Sequence, residues 1–476
     1  MWCRAFGALK PGPLLVALGA VVLLPQAEGQ TIEELKSLVQ ELDQKVRVLE
    51  RKKELEQEAA GDKAKSTPVL SAGPEGFALR SADTNFVLKL RGYVQADARF
   101  YADDHSGGTA NDTFLLRRVR PILEGTVFEK YDFRLMLDFG SGATATAANN
   151  AYVQDAYFTA RFLPELQLVG GKLKEPVGLE RLQSGANLLF IERGYPTQLA
   201  PNRDVGFLVQ GDFGRGNGSS LLNYAVGAFN GVADGGSGDI ETADDEKDVA
   251  ARIFVHPFLK TEAKALQGLG LGIAGTYGDH DGAPRTYTSI GQQRFFGYRA
   301  STTPATAPNV VANGTHWRLA PQGYYYWGPF GLLGEYTFSE QIVQQAGAGA
   351  GAGTLGEFRH TAWQVAASYF LTGEKNSFKA VTPNRPFRPG QGGWGAWEIA
   401  GRIGALDVDD DVFPVYADPG TSATKAFSWG LGLNWHLNKN LKANLNYDQT
   451  DFKGGAANDL LRKGEKAIFT RVQISF

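Results

Sequence analysis

Residues 86–100 read FVLKLRGYVQADARF. Phe86, Leu88, Leu90, Val94, Ala96, Ala98 and Phe100 share one parity, and Val87, Lys89, Arg91, Tyr93, Gln95, Asp97 and Arg99 share the other. Period two with one apolar and one polar set describes a strand whose faces meet different surroundings. The pattern recurs. Phe133, Leu135, Leu137 and Phe139 oppose Arg134 and Asp138, while Ala156, Phe158, Ala160 and Phe162 oppose Asp155, Tyr157, Thr159 and Arg161. Further on, Phe427, Trp429, Leu431, Leu433 and Trp435 oppose Ser428, Asn434 and His436, and Leu441, Ala443, Leu445 and Tyr447 oppose Lys442, Asn444, Asn446 and Asp448. AIFTRVQISF (467–476) repeats it, with Ile468, Val472, Ile474 and Phe476 opposite Arg471 and Gln473.

A soluble β-sandwich alternates in the same way. Two features separate the cases. Aromatics stand at strand ends (Phe86 and Phe100, Phe427 and Trp435, Tyr447), where the two faces of a bilayer would lie. Connections also alternate in length. Short turns EKYD (129–132), LPE (163–165), WGP (327–329) and LNKN (437–440) are separated by long polar loops at 101–113, 140–151, 174–204, 231–248, 279–314, 340–357, 408–423 and 453–465. The expected fold is all-β and transmembrane, an antiparallel barrel of roughly sixteen strands following a short N-terminal α-helical coiled coil. Lipid offers no partner to a free strand edge, so 467–476 is expected to pair with 86–100. A barrel of ~16 strands encloses a water-filled channel. One connection breaks the rule: TGEKNSFKAVTPNRPFRPGQG (372–392) is long where a short turn is due.

Four segments are expected. Residues 1–29 read as a secretory signal, with Arg4 and Lys10 before the apolar run PLLVALGAVVLLP and small residues before Gln30. Cys3 lies within it, which leaves an exported chain without cysteine. Residues 30–58 carry Ile32, Leu35, Val39, Leu42, Val46 and Leu49 at heptad spacing. They read as a periplasmic coiled-coil stalk or as one amphipathic helix lying on its own protein. Ile/Val at one core position and Leu at the other favour two strands by the bare rule. Residues 59–85 read as a flexible linker, and 86–476 as an outer-membrane barrel.

With 48 basic and 51 acidic residues, the balance implies no bulk nucleic-acid partner. The basic residues are concentrated elsewhere. In FLLRRVRPILEGTVFEKYDF (114–133), placing Val119, Leu123 and Val127 towards lipid places Arg118, Arg120, Glu124 and Thr126 towards the lumen. Arg117 falls on the lipid parity near the loop end. Lys89, Arg91, Tyr93 and Arg99 stand on the adjoining strand, and Arg471 on the closing one. Such a ladder suits anions, and arginine binds oxyanions with a planar fork that stays charged. The alternative is that Asp97, Glu124 and Asp138 neutralise these arginines, which then only keep a wet wall soluble. Because exposed charges in open water select weakly, a narrowing is needed. Loop 174–204 is the candidate: Leu179, Leu182, Leu188, Leu189, Phe190 and Ile191 give it packing surface, and Lys174, Arg181, Arg193 and Arg203 give it cations. Whether it fills the bore or caps it from outside stays open at this level.

FLLRRVRPILEGTVFEKYDFRLMLDF, GKLKEPVGLERL, FIERGY, VGAFNG, GGWGAWEIAGRI and LGLNWHLNKNLKANLNY together resemble the phosphate-selective porin O and P family, across nearly all of 86–476. The resemblance implies a homotrimeric sixteen-stranded outer-membrane porin with its third loop in the pore and arginine-based selection of small anions, phosphate foremost. It implies a trimeric stalk, against the bare heptad rule. The family's arginine pair on the second strand matches Arg117 and Arg118. Tyr93 stands where phosphate-specific members carry arginine, with Arg91 two residues away on the same face. Those members follow GLE with Ser-Ser-Lys, whose lysine binds phosphate, whereas GLERLQSGA puts Ala186 there and leaves Arg181 as the nearby cation.

No enzyme, metal or cofactor signature stands out. Six histidines lack ligand spacing, GxSxG is missing, and the glycine run at 344–354 lacks GK[ST]. The partners expected are small anions, outer-membrane lipid and two further copies of the chain, with no nucleic acid. A weakly selective general-diffusion porin is the first alternative, and an envelope-tethering protein with a barrel anchor the second.

Overall fold

A computed structural model describes residues 32–102, 111–140, 151–216, 218–240, 245–301, 303, 307–349, 351–457 and 461–476. The expected signal segment lies outside the described residues. The chain divides into two units, one ending at Ser66 and one running from Thr67 to Phe476.

The first unit is helix α1 (Ile32–Ser66), with Glu33 and Glu34 in its first turn, where a helix favours negative charge. Lys45–Glu41, Arg47–Asp43 and Arg51–Glu54 pair along its surface. The heptad residues Ile32, Leu35, Val39, Leu42, Val46 and Leu49 are all exposed. The stretch expected as linker is ordered instead. α1 continues through helix-forming Ala and Lys to Ser66, short of Pro68, which disfavours helix in the residue before it. A hairpin follows, formed by β1 (Val69–Gly73) and β2 (Gly76–Arg80).

The barrel begins with β3 (Val87–Tyr101), β4 (Thr113–Val127), β5 (Tyr131–Asp138), β6 (Tyr152–Leu163), β7 (Leu166–Lys174) and β8 (Arg203–Phe213). β9 (Leu222–Phe229), β10 (Asp248–Val255) and β11 (Leu269–Gly282) continue it. A small hairpin, β12 (Tyr287–Thr288) and β13 (Arg294–Phe296), belongs to a loop. The wall resumes with β14 (Val310–Trp327), β15 (Phe330–Gln345), β16 (Leu355–Phe370) and β17 (Ala396–Asp407). β18 (Ala423–His436), β19 (Leu441–Gly454) and β20 (Glu465–Ser475) complete it. One sheet holds 18 strands, and setting aside the β1–β2 hairpin leaves the 16 of a closed antiparallel barrel.

β20 closes the ring on β3, from Ala467 opposite Tyr101 to Ser475 opposite Tyr93. Below Gly92 that edge of β3 passes to β2, which pairs Phe77 with Leu90 and Arg80 with Val87. Phe476 sits at the handover, exchanging two backbone hydrogen bonds of 2.9 Å with Gly92. A Cβ on residue 92 would stand 2.8 Å from the Phe476 ring and from the Arg120 carbonyl oxygen, so glycine is required there.

The alternation behaves as a lipid-facing barrel demands. On β3, Leu88, Leu90, Ala96 and Phe100 are exposed, while Tyr93, Gln95, Asp97 and Arg99 are buried inside. Phe114, Phe158, Phe207, Ile253, Leu271, Leu431 and Val472 extend the exposed apolar band around the wall. Among the described residues, no helix is long and apolar enough to cross a membrane. Inside, an aromatic core of Tyr287, Phe295, Phe296 and Tyr298 packs with Val412 and Tyr416 of the 408–422 loop and with Tyr195 and Leu199 of the third long loop.

Candidate functional site: the lumen and its inward loop

The third long loop, 175–202, is hydrogen-bonded to side chains on the polar face of the wall strands. Two short helices shape it, α2 (Leu179–Leu182) and α3 (Pro196–Leu199). Glu335 of β15 accepts the backbone N–H groups of Leu179 and Glu180 at 2.7 and 3.3 Å. Side chains from β17–β20 and β3 then donate to the loop's carbonyl oxygens one after another. Gln95 reaches Gly185 (2.8 Å), Gln473 reaches Ala186 (3.0 Å), Lys442 reaches Leu188 (2.9 Å) and Asn434 reaches Leu189 (3.0 Å). Arg471 reaches Ile191 (2.9 Å) and Arg402 reaches Glu192 (2.8 Å). β17, β18, β19, β20 and β3 are consecutive neighbours in the ring, so these donors form one continuous stretch of wall along the loop.

Glu192 is the loop's main electrostatic contact with the wall. Arg117 holds it at two points, Nε to Oε1 at 2.6 Å and Nη2 to Oε2 at 3.1 Å. Arg99 adds 3.0 Å, Arg471 3.8 Å and Arg118 3.9 Å. Burial alone would raise the Glu192 carboxyl, but Arg117, Arg118 and Arg99 outweigh it and hold it well below the usual carboxylate range. Arg117 reaches inward because β4 bulges. Gln95 pairs with Arg118 and Ala96 with Leu116, leaving Arg117 as an extra residue between them. A bulge re-aims a side chain in this way, and it corrects the parity reading that set Arg117 towards lipid.

At the loop's start Glu175 is fully buried, and neither of its carboxylate oxygens has a hydrogen-bond partner among the described residues. Burial first, then Asp248, pushes its carboxyl well above the ordinary range.

The long connection 371–395 between β16 and β17, for which the spacing offered no role, packs against β14, the third long loop and the β8–β9 turn. Phe378 stacks on Tyr324 of β14 at 5.3 Å, and its carbonyl accepts a hydrogen bond from Gln183 of the inward loop at 2.9 Å. Lys379 reaches the Gly218 carbonyl, between β8 and β9, at 3.3 Å. The segment is therefore a strap tying these elements together.

Two cavities border the loop, and the smaller also borders the strap. One, of about 800 Å³, runs along β3–β10. Lys89, Arg120, Arg134, Arg161, Lys174, Arg203 and Arg252 border it, seven cations against the three carboxylates Glu124, Asp132 and Asp155. The other, of about 400 Å³, holds Glu75, Arg91, Lys379, Lys439 and Lys442. Tyr93, Glu124, Arg134 and Ser184 border both, which places the neck beside them.

Several of these charges are matched. Arg120 pairs with Asp138 (2.6 Å), and Arg134 with Glu124 (2.7 Å) and Asp155 (3.1 Å). Arg203 shares Asp155 at 2.7 Å, Arg161 takes Asp132 at 2.7 Å, and Arg91 takes Glu124 at 2.9 Å and Glu75 at 2.8 Å. Arg252 differs. It donates to Gln322 and Asn223 and lies 4.5 Å over the Phe254 ring, with no carboxylate pair among the described residues.

Of the residues expected from sequence, Lys89, Arg91, Tyr93, Arg120 and Lys174 border the cavities. Lys174 donates to the carbonyls of Arg181 and Gln183 at 2.7 and 2.9 Å. Arg99, Arg117, Arg118 and Arg471 gather instead on Glu192, and Arg471 also grips Asp97 at 2.7 Å through two bonds. Arg181 and Arg193 serve the loop itself, Arg181 donating to the Thr197 carbonyl and Arg193 to those of Glu180 (3.0 Å) and Gln183 (2.8 Å). Ala186 packs against Tyr93, Ile122 and Met136. The sequence reading missed Arg134, Arg161 and Arg252 as lining residues. Their signal was present in the polar parity of RLMLDF, YFTARF and AARIFVH.

The family described as "Phosphate-selective porin O and P" has a model that matches residues 88–476. The chain is 25% identical over 395 residues to Porin O of Pseudomonas aeruginosa, covering 78% of this chain and 84% of that protein. Among solved structures, the outer membrane channel DcaP of Acinetobacter baumannii has a similar fold, with a TM-score of 0.51 and 13% identity over 84% of this chain and 99% of that one.

Proposed function

The chain belongs to the phosphate-selective porin O and P family of outer-membrane channels, and on that premise we propose that it passes small anions, phosphate among them, by passive diffusion. The observation that carries this reading is the cation excess along the 800 Å³ cavity. Lys89, Arg120, Arg134 and Arg252 supply the field, and the inward loop confines the solute close enough to feel it. Tyr93 and Arg91 meet the solute at the neck. The exposed heptad seam of α1 supports a stalk that joins three copies in the periplasm. The test is a single-channel recording in planar bilayers under a KCl gradient. The reversal potential should show anion preference, and added phosphate should block chloride current. Cation preference would sink the reading.

Ala186 favours a second reading, a channel of weak selectivity. It brings no cation to the neck, and most lining arginines have carboxylate partners. Anion preference without phosphate block would decide for it.

A further inference from the structure

The arginines nearest the inward loop are not the ones that solutes meet. Arg99, Arg117, Arg118 and Arg471 converge on Glu192, which is only 4% exposed, and none of the four borders either cavity. Four guanidinium groups around one tethered carboxylate form an anion site whose anion is part of the chain. Arg118 is buried at 2% exposure, and its Nε has no hydrogen-bond partner among the described residues. Buried arginines of this kind bind any oxyanion or halide that reaches them, because charge-assisted hydrogen bonds strengthen away from water. Glu192 holds that place through its side chain, and its carbonyl is fixed by Arg402 at 2.8 Å.

We infer that Glu192 is an intramolecular counter-anion that withdraws this cluster from the solute path, so that ion selection rests on the cations bordering the 800 Å³ cavity, among them Arg252, which has no carboxylate pair among the described residues. The inference builds on the anion-channel reading and adds which cations act. It makes Glu192 a determinant of selectivity through what it conceals.

The experiment compares intact channels in planar bilayers, using chloride and inorganic phosphate as probes. Arg252→Ala should lower the chloride-to-potassium permeability ratio, while Arg118→Ala should leave it unchanged. Glu192→Gln should lower the phosphate concentration that halves chloride current by about tenfold or more, the gain from one freed charge-assisted hydrogen bond. Equal losses of anion preference in Arg118→Ala and Arg252→Ala would overturn the inference, as would unchanged phosphate block in an assembled Glu192→Gln channel. If Glu192→Gln does not assemble, the two arginine variants still decide. A native channel that prefers cations would refute the function itself. An anion-selective native channel that loses its preference on Arg118→Ala would refute only the inference.

Discussion

Arg117 and Glu192 form a two-point ion pair inside the barrel, although Arg117 occupies a position that strict alternation assigns to lipid. The bulge on β4 supplies the extra residue, and the loop supplies the carboxylate. Removing the carboxylate should be worse than removing this arginine. Glu192→Ala leaves three buried arginines and the half-buried Arg117 facing one another and is expected to cost about 3–5 kcal/mol. Arg117→Ala leaves Glu192 with three arginines and should cost about 1–3 kcal/mol. Thermal unfolding of the assembled protein, followed by gel mobility, checks the order.

Glu175 sets a pH dependence. Its carboxyl is raised well above the usual range, so the folded protein keeps the proton after the unfolded chain has lost it. Stability linked to this group therefore falls as pH rises from the ordinary carboxylate value towards the folded one, by about 1.4 kcal/mol per unit. Glu175→Gln should raise the melting temperature at neutral pH and make no difference near pH 4 or below, where glutamate is protonated in both states. A stabilisation that persists unchanged at acid pH would contradict this origin.

Selectivity should depend on salt. The lining cations border an open cavity and act partly through their field, which reaches ~30 Å at 0.01 M salt but only ~3 Å at 1 M. Permeability ratios measured with dilute gradients should exceed those measured near 1 M KCl. A ratio independent of salt would indicate contact binding rather than a field.

The strap offers a structural test. Replacing Asn376–Pro383 by two glycines removes the Phe378 stack and the Lys379 contact and widens the 400 Å³ cavity that the strap borders. Conductance should rise and anion preference should fall, because ions then pass farther from the cationic wall. Phe378→Ala alone should release the strap at a cost of about 1 kcal/mol, the worth of one aromatic pair. Unchanged conductance in the replacement would place the strap outside the path.

Architecture was the legible part. Alternation at 86–100 and 467–476 is strictly local, and closure follows from lipid's lack of hydrogen-bond partners. The lumen was harder to read. Parity shows that Arg118 and Arg120 point inward, yet it cannot say that Glu192, more than 70 residues later, meets one of them and Asp138 the other. A single inserted residue also reverses parity, which is why alternation alone assigns Arg117 to the lipid face. Segment 372–392 looked like an anomaly because its partners, Tyr324 and Gly218, belong to a strand and a turn distant in sequence.

The wall grips the inward loop chiefly by its carbonyl oxygens, at Gly185, Ala186, Leu188, Leu189, Ile191 and Glu192. Every residue type carries that oxygen in the same place. The loop's path is thus largely indifferent to which side chains it bears at the neck. Such a barrel can change its solute by single substitutions at positions such as Ser184 or Ala186 while its shape is inherited intact, which makes the constriction a replaceable part of a conserved frame.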